Sequence, residues 1–214
     1  MFRDRLDAGE RLAAALEGYR GRKDTVILAV PRGGLPVAAV VAEALELPLD
    51  VMLTKKIGHP DNPEVAVGAV ALSGEVIGPL AYEYGVPESY LREKIRRVRE
   101  ELKRRRALYA GDTEPAAVAG KTVLLIDDGA ATGMTLRVSA AALKNAGAAR
   151  VVIAIPVAPP EAVAVLRPRA DEVVCLETPD DFRAVGQFYA DFSEVDDEQA
   201  AGLLRSYTPA RSIS

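Results

Sequence analysis

The chain is poor in the residues that build metal clusters and covalent cross-links. Among 214 residues there is one cysteine, Cys175, and one histidine, His59. A single cysteine excludes an intramolecular disulfide framework and agrees with a reducing, cytoplasmic setting. Apolar residues flank it and no activating base stands beside it, so it reads as a small core residue rather than a nucleophile. His59 lies in a Gly-His-Pro-Asp-Asn-Pro loop, which leaves no histidine cluster for zinc. No apolar run approaches the ~20 residues that a membrane span requires. The opening residues, MFRDRLDAGE, alternate charge around no apolar centre, so no signal peptide is expected. The formal net charge is only −4, so the surface as a whole does not advertise nucleic-acid binding.

Apolar residues are plentiful: 49% of the chain is hydrophobic, enough for one sizeable core and short of two full domains. The stretch that organises it is Val123 to Thr135, VLLIDDGAATGMT. Val123, Leu124, Leu125 and Ile126 form a run expected of a strand buried on both faces of a parallel sheet. Asp127 and Asp128 fall where that strand should end. A small-residue loop, Gly129 to Gly133, leads into a helical pattern of Leu136, Ala140, Leu143 and Gly147. A helix N-terminus carries free N–H groups and about half a positive charge, so it accepts a phosphate. Thr132 and Thr135 add hydroxyls, while Ala131 and Gly133 let the backbone come close. Two acids beside such a cradle would repel a phosphate unless they face ribose hydroxyls, a hydrated Mg²⁺, or both.

This thirteen-residue stretch closely resembles the phosphoribosyl-pyrophosphate (PRPP) signature of type I phosphoribosyltransferases, with only Gly129 unusual where a branched apolar residue is common. The resemblance implies an α/β fold: a doubly wound, mainly parallel sheet flanked by helices, with an antiparallel hairpin and a small hood from the chain ends. It implies a single domain over 1–214, with the core at about 23–177, an inserted hairpin and helix at about 65–110, and a hood at about 178–214. Asp127 and Asp128 become the catalytic pair and the Mg²⁺ ligands, directly or through water or ribose hydroxyls. Ala131, Thr132, Gly133, Met134 and Thr135 become the 5′-phosphate loop.

The rest of the chain is read against this plan. Residues 3–18 form an amphipathic helix pattern, read as packing. Thr25 to Val30 is a buried strand, followed by Pro31-Arg32-Gly33-Gly34 and a helix through Leu45 with Pro36 in its first turn. The chain thus offers two helix-terminus anion sockets at the carboxyl ends of strands, where open α/β sheets hold ligands. By resemblance, Arg32, Gly33 and Gly34 hold pyrophosphate. A strand from Leu49 to Thr54 ends in Lys55 and Lys56, of which Lys56 is the favoured pyrophosphate contact and Lys55 the lesser one.

Glu64 to Ile77 reads as a hairpin turning at Ser73-Gly74, with Gly68 marking a bulge or close approach. From Pro87 to Tyr109 runs a helix with a narrow apolar stripe and, between Glu88 and Arg106, nine bases against four acids. The charge reads as a solvated face, a subunit interface of a homodimer, a nucleic-acid contact, or a basic side chain reaching PRPP. Nucleic acid is disfavoured because aromatic interleaving and a binding motif are both absent. Strands at Arg150–Val157 and Glu172–Leu176 bracket a short helix from Pro160 to Leu166. Phe182, Phe188, Tyr189 and Phe192 concentrate in a chain only 5% aromatic, at helical spacing that suggests packing on the sheet. In the family the chain ends hood the acceptor base, where a ring can stack on it.

The implied reaction moves the 5-phosphoribosyl group of PRPP to a nitrogenous base, releasing pyrophosphate in a Mg²⁺-dependent step. In 6-oxopurine transferases the third residue after the second acid is often Asp. Here it is Ala131, which weakens a hypoxanthine or guanine reading and leaves the acceptor open. A PRPP-binding sensor without transfer activity is the competing expectation. An unrelated phosphatase would need an Asp nucleophile after an early strand, and Pro31-Arg32-Gly33-Gly34 supplies none.

Overall fold

The computed structural model describes residues 1–62, 65–72, 74–111 and 113–207. Its framework is a five-stranded sheet in the order β2-β1-β6-β7-β8, all parallel, formed by β1 (Thr25–Ala29), β2 (Leu49–Val51), β6 (Thr122–Ile126), β7 (Arg150–Val157) and β8 (Glu172–Glu177). The sheet splits its side chains by simple alternation. Ile27, Ala29, Leu124 and Ile126 enter one core, which includes residues of α1 (Arg5–Ala15) and α2 (Gly34–Leu45). Val26, Leu28, Val123 and Leu125 enter the other, against α5 (Met134–Asn145) and α6 (Pro160–Leu166). Burial on both faces explains why these strands read as unbroken apolar runs, and why the doubly wound class was legible.

A second, antiparallel sheet in the order β3-β4-β5 joins β3 (Thr54–Gly58), β4 (Ala66–Ala71) and β5 (Gly74–Ile77). The expected hairpin is present, with Ala71 opposite Gly74; Glu64 and Ser73 lie outside the described residues. The register of β3 on β4 shifts between Ile57 and Gly58, which pair with Gly68 and Ala66, so the irregularity sits beside Gly68. One expectation is corrected here. The run from Leu49 to Thr54 is not one strand: β2 stops at Val51, and Thr54 begins β3 in the other sheet.

After the short α3 (Pro79–Glu83), the long basic α4 (Glu88–Ala110) buries Leu91, Val98, Leu102 and Tyr109. Its stripe is taken up within the chain, by β3, β4 and α7 (Asp197–Ser206), and the Tyr109 hydroxyl donates to Asp197 at 2.5 Å. α7 starts from a reciprocal cap between Asp196 and Gln199, a signal the sequence reading passed over. Among the described residues no helix is long and apolar enough to cross a membrane.

Candidate active site

β1 and β6 are hydrogen-bonded neighbours, so the turns that follow them leave the sheet side by side at its carboxyl edge. The Val30 amide donates to the Ile126 carbonyl at 2.8 Å, extending the pairing into the turns. A β-carbon on Gly34 would lie 2.9 Å from the Asp127 Cα, and one on Gly33 would lie 2.0 Å from Asp128 Oδ2. Both positions therefore exclude a side chain. The glycines of the first turn are the surface on which the acid pair of the second turn rests.

β6 ends at Ile126, so both acids stand beyond the strand. Asp127 Oδ1 accepts from the Asp128 amide at 2.9 Å. Asp128 Oδ2 accepts from Arg5 Nε at 2.8 Å, and this ion pair is largely buried, with 11% and 13% side-chain exposure. The Arg5 guanidinium lies 3.9 Å above the Phe192 ring and donates from Nη1 to the Ser193 carbonyl at 2.8 Å. The Tyr189 hydroxyl donates to the Asp128 carbonyl at 2.6 Å. Burial, and then the charge of Asp128, raises the Asp127 carboxyl well above its ordinary range. Burial also raises Asp128, against the pull of Arg5.

Asp127 lines a cavity of about 200 Å³ together with residues 129–136, at the N-terminus of α5. The first-turn amides of a helix have no partners within the helix, and here they border open space. Gly133 precedes the helix at φ 70°, and a β-carbon there would also press on Leu166 at 3.1 Å. That left-handed conformation fits glycine. Thr132 Oγ1 accepts from the Met134 amide at 3.4 Å, while Thr132 and Thr135 are exposed. The cavity thus combines amides, hydroxyls, a helix dipole and one acid.

The cations fall less neatly. Arg32 is at the first turn, but its Nη2 pairs with Glu194 at 2.8 Å. Lys55 and Lys56 lie inside β3, not at the carboxyl end of a strand in the main sheet, because β2 ends early. Lys55 points to α4, where its Nζ meets both Glu101 carboxylate oxygens at 2.6 and 2.7 Å. Alternation puts Lys56 on the opposite face with Thr54, whose hydroxyl lies 3.3 Å from Ser139 Oγ of α5. Lys56 therefore stands on the α5 side and Lys55 does not.

The tail differs from its helical expectation. Val185 to Phe188 make a single 3₁₀ turn, and the chain then runs extended. Its backbone bonds go to Phe2 instead of to its own helix: the Phe2 amide donates to Phe188 O at 2.7 Å, and the Ala190 amide donates to Phe2 O at 2.8 Å. Phe2 and Tyr189 join Val157 at the end of β7 in a small aromatic core. The ring of Tyr189 lies 5.3 Å from that of Phe2 and 5.0 Å from that of Phe192. Sequence reasoning missed Arg5, which sits 123 residues from its partner on a helix read as mere packing. A lone arginine among the charges of α1 carries no local signal of this role.

The fold and the paired turns define the class of a doubly wound α/β protein with two adjoining turns at the carboxyl edge of its sheet. The phosphoribosyl transferase domain family matches residues 3–193, and the chain belongs to that family. Two Mycobacterium tuberculosis proteins, from strains CDC 1551 / Oshkosh and H37Rv, whose names assign them provisionally as phosphoribosyl transferases, are each 37% identical over 210 residues. These alignments cover 95% of this chain and 46% of either relative, so the chain spans about half their length. The crystal structure of TT1426 from Thermus thermophilus is 44% identical and superimposes with a TM-score of 0.85, covering 96% of this chain and 98% of that one. A Neisseria gonorrhoeae protein crystallised with ppGpp shares the fold at 17% identity and a TM-score of 0.51, over 94% of this chain and 92% of that one.

Proposed function

We propose that this protein transfers the 5-phosphoribosyl group of PRPP to a nitrogenous base and releases pyrophosphate, as a cytoplasmic enzyme of the nucleotide-salvage type. The observation that carries the reading is the abutment of two turns, Gly33-Gly34 against Asp127-Asp128, the second of which leads into the amide-lined loop at the N-terminus of α5. PRPP has a phosphate at one end, a pyrophosphate at the other and two hydroxyls between, and the adjoining turns match that order. In this reading the loop from Ala131 to Thr135 takes the 5′-phosphate on its amides. The turn of Arg32, Gly33 and Gly34 takes the pyrophosphate, helped by Lys56. Lys55, committed to Glu101, contributes little. The aspartates orient the ribose and favour the cationic ring that develops as the C1–O bond breaks, so that catalysis is positioning and electrostatics.

The residues suit a magnesium ion only in company with a ligand. Among the described residues no group of three or more His, Cys, Asp or Glu converges as a cage. Mg²⁺ instead takes one or two carboxylates together with substrate oxygens and water, and Asp127 and Asp128 would serve in that way. When bound, it would supply positive charge to the departing pyrophosphate.

The competing reading, a PRPP sensor without transfer, draws on the two ion pairs already made by candidate site residues, Arg5 with Asp128 and Arg32 with Glu194. Incubating the protein with Mg²⁺, PRPP and a panel of bases separates the two. Pyrophosphate release with one base establishes the transferase and names its acceptor. PRPP binding with no release from any base establishes the sensor, and no binding removes both. Asp128→Asn combined with Thr132→Ala should weaken PRPP binding while leaving the fold intact, with a lowered melting temperature because the Arg5–Asp128 pair is altered.

A further inference from the structure

We infer that Arg5, on the first helix, is the positioning residue that sets the orientation of Asp128 for PRPP; the inference rests on the phosphoribosyl reading above. Two independent contacts act on the same oxygen. Arg5 Nε holds Asp128 Oδ2 at 2.8 Å from one side. On the other side the Gly33 turn approaches so closely that no β-carbon fits between them. Oδ2 is thereby held, and in the phosphoribosyl reading Oδ1 is the oxygen that would meet a ligand. The guanidinium is itself fixed at three points: Oδ2, the Ser193 carbonyl and the face of Phe192.

A fork of this kind differs from a point charge. Arg5 reaches Asp128 from Nε and Ser193 from Nη1, and one lysine ammonium does not span both. The arrangement also ties the acid to the segment from Tyr189 to Ser193, whose tyrosine hydroxyl holds the Asp128 carbonyl. Carboxylate, carbonyl and strap therefore move together, and Arg5 is the side chain common to α1, the strap and the acid.

The test is a double-mutant cycle read as the Kd for Mg²⁺–PRPP by calorimetry, with thermal unfolding measured alongside. Arg5→Met should raise the Kd about 10–100-fold, the cost typical of losing the partner that orients a ligand-holding side chain. Arg5→Lys, which keeps the charge and the fold, should recover only part of that loss. In Asp128→Asn the further change Arg5→Met should cost little, because the residue through which Arg5 acts is already altered. Additive losses in the double variant, or a lower melting temperature with unchanged Kd, would overturn the inference. If wild type binds no PRPP, the proposed function fails separately. The positioning claim is then decided by the crystal structure of Arg5→Met, where a reoriented Asp128 carboxylate supports it and an unmoved one overturns it.

Discussion

Gly33 and Asp128, ninety-five residues apart in sequence, are in such contact that a β-carbon on the glycine would stand 2.0 Å from the carboxylate Oδ2. Gly33 is in the right-handed region, at φ −61° and ψ −32°, so its backbone places no demand for glycine. The nearest atoms that a β-carbon would meet all belong to Asp128. Gly33→Ala should therefore displace the carboxylate from Arg5 and cost about 1–3 kcal/mol in stability, the usual range for overpacking a filled site. PRPP affinity should fall at least about tenfold, the equivalent of 1.4 kcal/mol. Calorimetry and urea unfolding on the same variant check both halves.

The acid pair sets a pH dependence. Asp127 is raised above its ordinary value by burial and by the neighbouring Asp128 charge. An acid raised on folding binds its proton more tightly in the native chain than in the unfolded one. Its contribution to stability is complete below the unfolded value and is lost as pH climbs from there through the raised folded value. In ligand-free melts from pH 4 upward, Asp127→Asn should gain on wild type over that interval, because an amide has no charge to desolvate. A difference that is constant with pH would contradict this.

Far from the cavity, Asp50 of β2 and Arg106 of α4 form a buried ion pair at 3.0 Å. Asp50 also accepts from the amides of Val51 and Ala116, both at 2.7 Å. Arg106 Nε and Nη1 are buried without a partner, so the pair already carries a desolvation cost. Asp50→Ala should destabilise by about 3–5 kcal/mol in urea unfolding, because it strands the guanidinium. Adding Arg106→Leu should restore part of that loss.

Cys175 tests the reading of a core thiol. Burial pushes its pKa up to about 11, and its Sγ contacts the Glu177 carbonyl at 3.2 Å. Little thiolate is present at pH 8, so a disulfide reagent such as DTNB should react slowly with native protein and promptly after denaturation. Prompt native reaction would show an activated cysteine.

What the sequence made legible follows from where the physics is local. β6, its acids and α5 lie within twenty-five residues, and apolar runs, glycine and threonine declare them directly. β7 was equally plain because burial on both faces leaves an unmixed signal. Lys55 and Lys56 were misplaced because nothing between Val51 and Thr54 marks the change from one sheet to another. The tail aromatics keep helical spacing yet bond to Phe2, a partner near the other end of the sequence. Arg5 and Asp128 meet only through tertiary packing, which periodicity does not reach.

The pairing of β1 with β6 puts Thr25 opposite Thr122, a loop closure of about a hundred residues. Neither half of the chain, made alone, carries a socket with its floor, since the glycines come from one half and the aspartates from the other. In the proposed reading, a ligand would therefore find no complete socket on the nascent chain until the sixth strand has emerged and docked. Any stabilisation by ligand would act late in folding, as a latch on a finished sheet, and would give no help to its nucleation.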